Sequence, residues 1–236
     1  METGTASSPP SYTQAVSDAA DDLLQPAILV LDNLSIHAES DPTVPLYQFN
    51  RSIASLGPAT SVVEFARMER KAGSAKQRPR HIYNLHHQKP MLRVPSTRHA
   101  EYFIQAVASP ARRLGHLGLK QARTSEHWTA LPVDMKGWTE FSRPPFVAGA
   151  APVLEAHHRQ GACKWTDGDG RDVAIEYDEE REHRLLVTAS LQRETLDALV
   201  ALWCCRVWQL SVDQKPARTV SSNHLADTLP IGWRFR

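Results

Sequence analysis

Residues Leu196 to Trp208, LDALVALWCCRVW, constrain this chain more than any other stretch. Placed at ~100° per residue, Leu196, Leu199, Val200, Trp203 and Val207 share one helical face. The opposite face is also apolar but smaller, with Ala198, Ala201 and Cys205 flanked by Leu202 and Trp208. Only Asp197 and Arg206 interrupt, one on each side. A helix that is hydrophobic all round is buried all round or crosses a membrane. A crossing takes ~20 apolar residues, and this run is shorter. The expectation is a core helix at about residues 193–209, wrapped by whatever precedes it.

What precedes it reads as short strands punctuated by turn residues. Ala27 to Leu31 is a continuous β-type run stopped by Asp32-Asn33. Ser35 to Glu39, Pro45 to Asn50, Ser61 to Glu69, Arg80 to His86, Tyr102 to Ala108, Leu117 to Gln121 and Trp128 to Leu131 continue the series. Phe141 to Val147 contains Pro144-Pro145, which fits only an edge or a bend. Val153 to Arg159 follows, and then the clearest hairpin. Its arms, Ala162 to Thr166 and Arg171 to Tyr177, flank Asp167-Gly168-Asp169-Gly170, whose glycines supply the positive φ that a tight reversal needs. Arg184 to Ser190 leads into the helix.

About a dozen strands and one apolar helix suggest a barrel. Eight strands close on their own side chains, whereas a larger ring leaves a lumen that a helix can fill. The fold class expected is mainly β: a closed antiparallel barrel of about 12 strands around one C-terminal hydrophobic helix. Residues 26–210 form this body. Residues 1–25, poor in large apolar groups, are expected to be a disordered tail, and 211–236 a polar second tail.

The totals exclude several classes. With 42% hydrophobic residues and six Trp, a sizeable core is available. A net charge of +1 gives no whole-molecule field to draw nucleic acid or membrane, so an anionic partner has to be met by a local patch. Three Cys make no disulfide framework and suggest reduced, intracellular thiols. The opening METGTASSPPSYTQ has neither a charged nor an apolar region of a signal peptide. The expected location is cytoplasmic, with peripheral membrane or nuclear placement as alternatives.

Three sequence blocks also carry a resemblance. Pro9 to Tyr12 is a PPSY tail; Leu29 to Phe49 follows LVLDxxxIHxxxxPxxPLYxF; Trp165 to Trp208 follows WTDxDGxxVAIE and then HRLxVTxxLxRETxDALVALWCxRVW. In these, and in its order of elements, the chain resembles the tubby C-terminal-like superfamily, closest to small fungal tubby-like and LURP-one-related proteins. The likeness spans roughly residues 27–209. It implies a twelve-strand barrel with a central helix, and phosphoinositide binding or membrane association among the roles.

Four sets of residues invite a chemical reading. Arg67, Arg70, Lys71, Lys76, Arg78 and Arg80 place six cations within fourteen residues, opposed only by Glu69. Such a hairpin tip suits phosphates of an anionic phospholipid, each cation contributing up to about 1 kcal/mol. No aromatic residue interleaves from 67 to 80, which argues against a base-stacking nucleic-acid site. Pro9, Pro10 and Tyr12 form a PPxY ligand for WW domains, whose grooves take polyproline II turns; the alternative function is therefore an adaptor that recruits a WW-domain ubiquitin ligase. A small-ligand binder or accessory factor is a third reading. His86-His87 and His157-His158 point to opposite faces of their strands, so neither pair makes one metal site. The DGDG turn has Arg171 and Asp172 where a calcium loop needs a ligand and a glycine. The cysteines read as apolar fillers. No G-x-S-x-G, P-loop or dinucleotide turn is present, so a non-enzymatic protein with no cofactor and no metal is expected.

Overall fold

A computed structural model describes residues 23–70, 76–88, 98–107, 114–122, 126–140, 142–159, 161–179 and 182–213. Pro9, Pro10, Tyr12, Lys71 and residues 214–236 lie outside the described residues. Twelve strands close into an antiparallel barrel: β2 (Ala27–Asp32), β3 (Ser35–Ala38), β4 (Asp41–Phe49), β5 (Val62–Arg70), β6 (Gln77–His87), β7 (Tyr102–Ala106), β8 (Leu117–Gln121), β9 (His127–Pro132), β10 (Leu154–Arg159), β11 (Ala162–Asp167), β12 (Asp172–Glu179) and β13 (Glu182–Val187). Each pairs with its neighbour in sequence, and β13 closes the ring on β2 through Leu185↔Leu29 and Val187↔Ala27. A meander closes antiparallel only with an even number of strands, and twelve satisfies that.

The lumen holds α1, Arg193–Asp213. It runs one turn beyond the expected end, so residues 211–213 belong to the body. By length and composition it could cross a membrane. It is instead enclosed: every residue from Leu196 to Trp208 is buried, and Leu199 to Cys205 have no exposed surface. Inward residues of alternate strand positions share one core with it, among them Leu29, Ile36, Phe65, Leu85, Ile104, Ala130, Trp165 and Leu185. The two buried polar positions on the helix, Asp197 and Arg206, are both matched from the wall. Arg206 donates to Glu176 from Nε (2.8 Å) and Nη2 (2.7 Å), and its guanidinium lies 4.7 Å from the Trp128 ring centre. Asp197 takes the other end, described below.

Leu23 and Leu24, expected within the disordered tail, form β1, which pairs with β14 (Leu191–Gln192) immediately before the helix. Of the strand expected at 141–147, the described residues 142–147 are not a barrel strand. They make only isolated bridges, His99↔Pro145 and Val133↔Phe146, as two consecutive prolines without N–H groups dictate. This segment covers the outer face of β6 to β8. There Phe103, Ala100 and Val133 form a second small core with Trp138 and Phe146. Gly118 lets it approach: a Cβ there would lie 2.5 Å from Ala100 Cβ and 2.8 Å from Val133 Cγ1.

The β11–β12 hairpin turns where expected. Gly170 takes φ +79°, and the Asp167 carboxylate accepts from the N–H groups of Asp169 (3.0 Å) and Arg171 (2.9 Å). That carboxylate serves its own turn.

Candidate functional site

The basic hairpin is built by β5 and β6, and a bulge sets which of its cations point inward. Phe65 pairs with Tyr83, but Ala66 pairs with His81, so β6 carries Ile82 as an extra residue. One extra residue reverses the alternation beyond it. Arg80, and not His81, therefore joins Arg67 on the lumen side of the ladder, directly across from it. Two facing cations repel. Glu69 sits between them and bonds both, Arg67 through a very short contact and Arg80 at 3.1 Å.

Arg67 also reaches the helix. Its Nη1 donates to Asp197 Oδ2 at 2.6 Å, and the Tyr47 hydroxyl donates to Asp197 Oδ1 at 3.0 Å. Tyr47 stacks on Phe65 at 5.0 Å, which fixes its ring against the wall. Burial, then the neighbouring Asp197 carboxylate, raises the Tyr47 hydroxyl well above its ordinary value, so it stays a donor. Burial opposes charge on Arg67, but Asp197 and Glu69 outweigh it and raise the guanidinium. Burial likewise opposes charge on Glu69, and Arg67 with Arg80 overcomes it to lower the carboxyl. Arg67 thus differs from the expectation of a cation on an open hairpin tip: its side chain is only 14% exposed and it clamps the helix to the wall.

Above this clamp lies a pocket of about 840 Å³ at the N-terminal end of α1. Arg67, Arg70 and Arg80 come from the hairpin, Arg193 from the first turn of the helix, and Val44 and Leu46 from β4. Glu69, Glu194 and Asp197 are the carboxylates among its lining. The first turn of a helix presents N–H groups with no intrahelical partner and the positive end of its dipole, which together favour an anion. Lys76 and Arg78 are exposed and do not line the pocket. The sequence therefore brought forward three of the pocket's arginines. It missed Arg193, whose only signal was its place in QRET just ahead of the apolar run.

Other chemical groups fall out as follows. Burial pushes the Cys163 thiol up to about 12 and raises Cys204 and Cys205 as well, so none is a thiolate at neutral pH. His86 and His87 do face opposite ways: His86 stacks on Phe103 beneath the outer segment, and His87 stacks on Tyr102 and meets Trp208 in the lumen. No family model matches the chain, and no curated protein or solved structure matches it either.

Proposed function

We propose that this chain is a tubby-like barrel protein that binds the phosphorylated headgroup of an anionic phospholipid in the pocket at the N-terminus of α1. The observation that carries this reading is the convergence of Arg70, Arg80 and Arg193 with that helix end around one open pocket. Its volume falls in the range of about 300–1,000 Å³ usual for small-molecule sites. Arginine forks bond phosphate oxygens in pairs, which suits a multiply phosphorylated ring better than a single charge. Arg67 contributes by position, because Asp197 and Glu69 hold it, and Arg80 shares Glu69 with it while remaining exposed at the pocket. The exposed Arg78 adds attraction to an anionic surface. The enclosed helix supports peripheral rather than spanning association.

Flotation with vesicles of phosphatidylcholine containing phosphatidylinositol 4,5-bisphosphate tests this. Wild type floats with them and not with phosphatidylcholine alone. Changing Arg70, Arg78 and Arg193 to Ala removes most of the flotation and leaves the melting temperature near wild type. Flotation that is absent, or indifferent to these changes, refutes the proposal. A WW-domain ligand at Pro9, Pro10 and Tyr12 is a separate reading, resting on the PPSY sequence alone.

A further inference from the structure

We propose that the outer wall of the barrel carries a divalent transition-metal site, with Zn²⁺ as the ion, formed by His127, Glu155 and His157. The site rests on strand register. His127 on β9 pairs directly with His157 on β10, and Glu155 lies two residues before His157, on the same outward face. Their neighbours Trp128 and Ala156 point inward and are buried, which fixes the outward direction of all three.

Both Nε2 atoms face one carboxylate oxygen: Glu155 Oε2 is 3.3 Å from His157 and 3.7 Å from His127. Zinc bonds N and O at about 2.0–2.2 Å, so tetrahedral geometry puts two ligands about 3.4 Å apart. Two edges of the ligand triangle are thus close to that separation before any ion arrives. All three donor atoms lie within 4.8 Å of one another, so the remaining edge needs to close by at most about 1.4 Å. The two imidazoles stack with centroids 4.0 Å apart and planes within 12°, so their in-plane lone pairs run side by side, and binding requires each ring to turn about its side-chain torsions until both point at the ion. All three side chains are about one-third exposed, which leaves room for that tilt and for solvent at a fourth position.

The surrounding charges permit a dication. Lys164 pairs with His157 from β11, but its ammonium is held by Asp172 at 3.1 Å on the far side. Lys120 pairs with Thr129 from β8 and is exposed. Glu126 and His158 bond each other. Two imidazoles and one carboxylate select a first-row transition ion over Mg²⁺ or Ca²⁺, which want oxygen ligands throughout. The ladder that presents the donors is a rigid platform, which is what a metal site needs. Bound zinc would clip β9 to β10 across the excursion that separates them in sequence.

Isothermal titration of the full chain with ZnCl₂, beside MgCl₂ as control, tests the site at pH 7.5. One Zn²⁺ binds per chain, Mg²⁺ does not, and zinc raises the melting temperature. His127→Ala, His157→Ala and Glu155→Gln each weaken zinc binding at least about tenfold and abolish the thermal shift, while the metal-free melting temperature stays near wild type. Nine of the eleven histidines lie outside this site and offer other places for zinc, so the substitutions decide the matter. Absent binding, or zinc affinity and thermal shift left unchanged by any of the three substitutions, overturns the proposal.

Discussion

Replacing Glu176 by Ala removes the carboxylate that receives the helix's one buried arginine. The side chains of Arg206 and Glu176 are only 4% and 2% exposed. They share two charge-assisted bonds of 2.7 and 2.8 Å, and Trp165 Nε1 adds a longer donation to Glu176 at 3.4 Å. Two such bonds at about 1.5–3 kcal/mol each agree with the roughly 3–5 kcal/mol lost when one partner of a buried pair is deleted. Urea unfolding followed by tryptophan fluorescence gives the loss directly. With a slope near 2 kcal/mol/M, the midpoint falls by about 1.5–2.5 M. The double change Glu176→Gln with Arg206→Met takes both charges out of the core together and recovers most of that loss. A midpoint shift for Glu176→Ala below about 0.5 M, or a double variant as unstable as the single one, refutes the view that this pair is a sealed clamp between helix and wall.

Gly118→Ala forces a methyl against Ala100 and Val133, and overpacking of this kind lowers stability by about 1–3 kcal/mol in the same urea assay; an unchanged midpoint contradicts the tight seating of the outer segment. Acidification destabilises the fold through His86, which is buried. Burial lowers His86 below its ordinary 6.5, so between that value and its folded one the unfolded chain binds more protons, and stability falls as pH falls through the window. His116 is lowered by burial in the same sense. The melting temperature therefore drops from pH 7 to pH 5, and His86→Phe flattens that drop; an equal slope in the variant rules His86 out as a source.

The helix was legible because its run is apolar on every face, and no exposed helix tolerates that. The β11–β12 hairpin was legible because DGDG admits few conformations. β4 was harder: it starts at Asp41 and passes through Pro42 and Pro45, where sequence alone suggests a turn. Pairing there is sparse and twice shifted in register against β3, so missing N–H groups do little damage. The inward course of Arg80 depends on the bulge at Ile82, and the pairing of Arg67 on Asp197, 130 residues away. A run of cations does not disclose which of them is already paired. The same limit hid the meeting of His127 with His157, since neighbours along one strand say nothing of the residue across the ladder.

Native-state hydrogen exchange of the amides from Leu199 to Cys205 tests most directly whether the barrel is organised around an enclosed helix. Enclosure predicts that they exchange only through global unfolding, with protection equal to that of the most protected strand amides and a denaturant dependence matching full unfolding. Exchange through a local opening, at a free energy well below that of the strands, would contradict it.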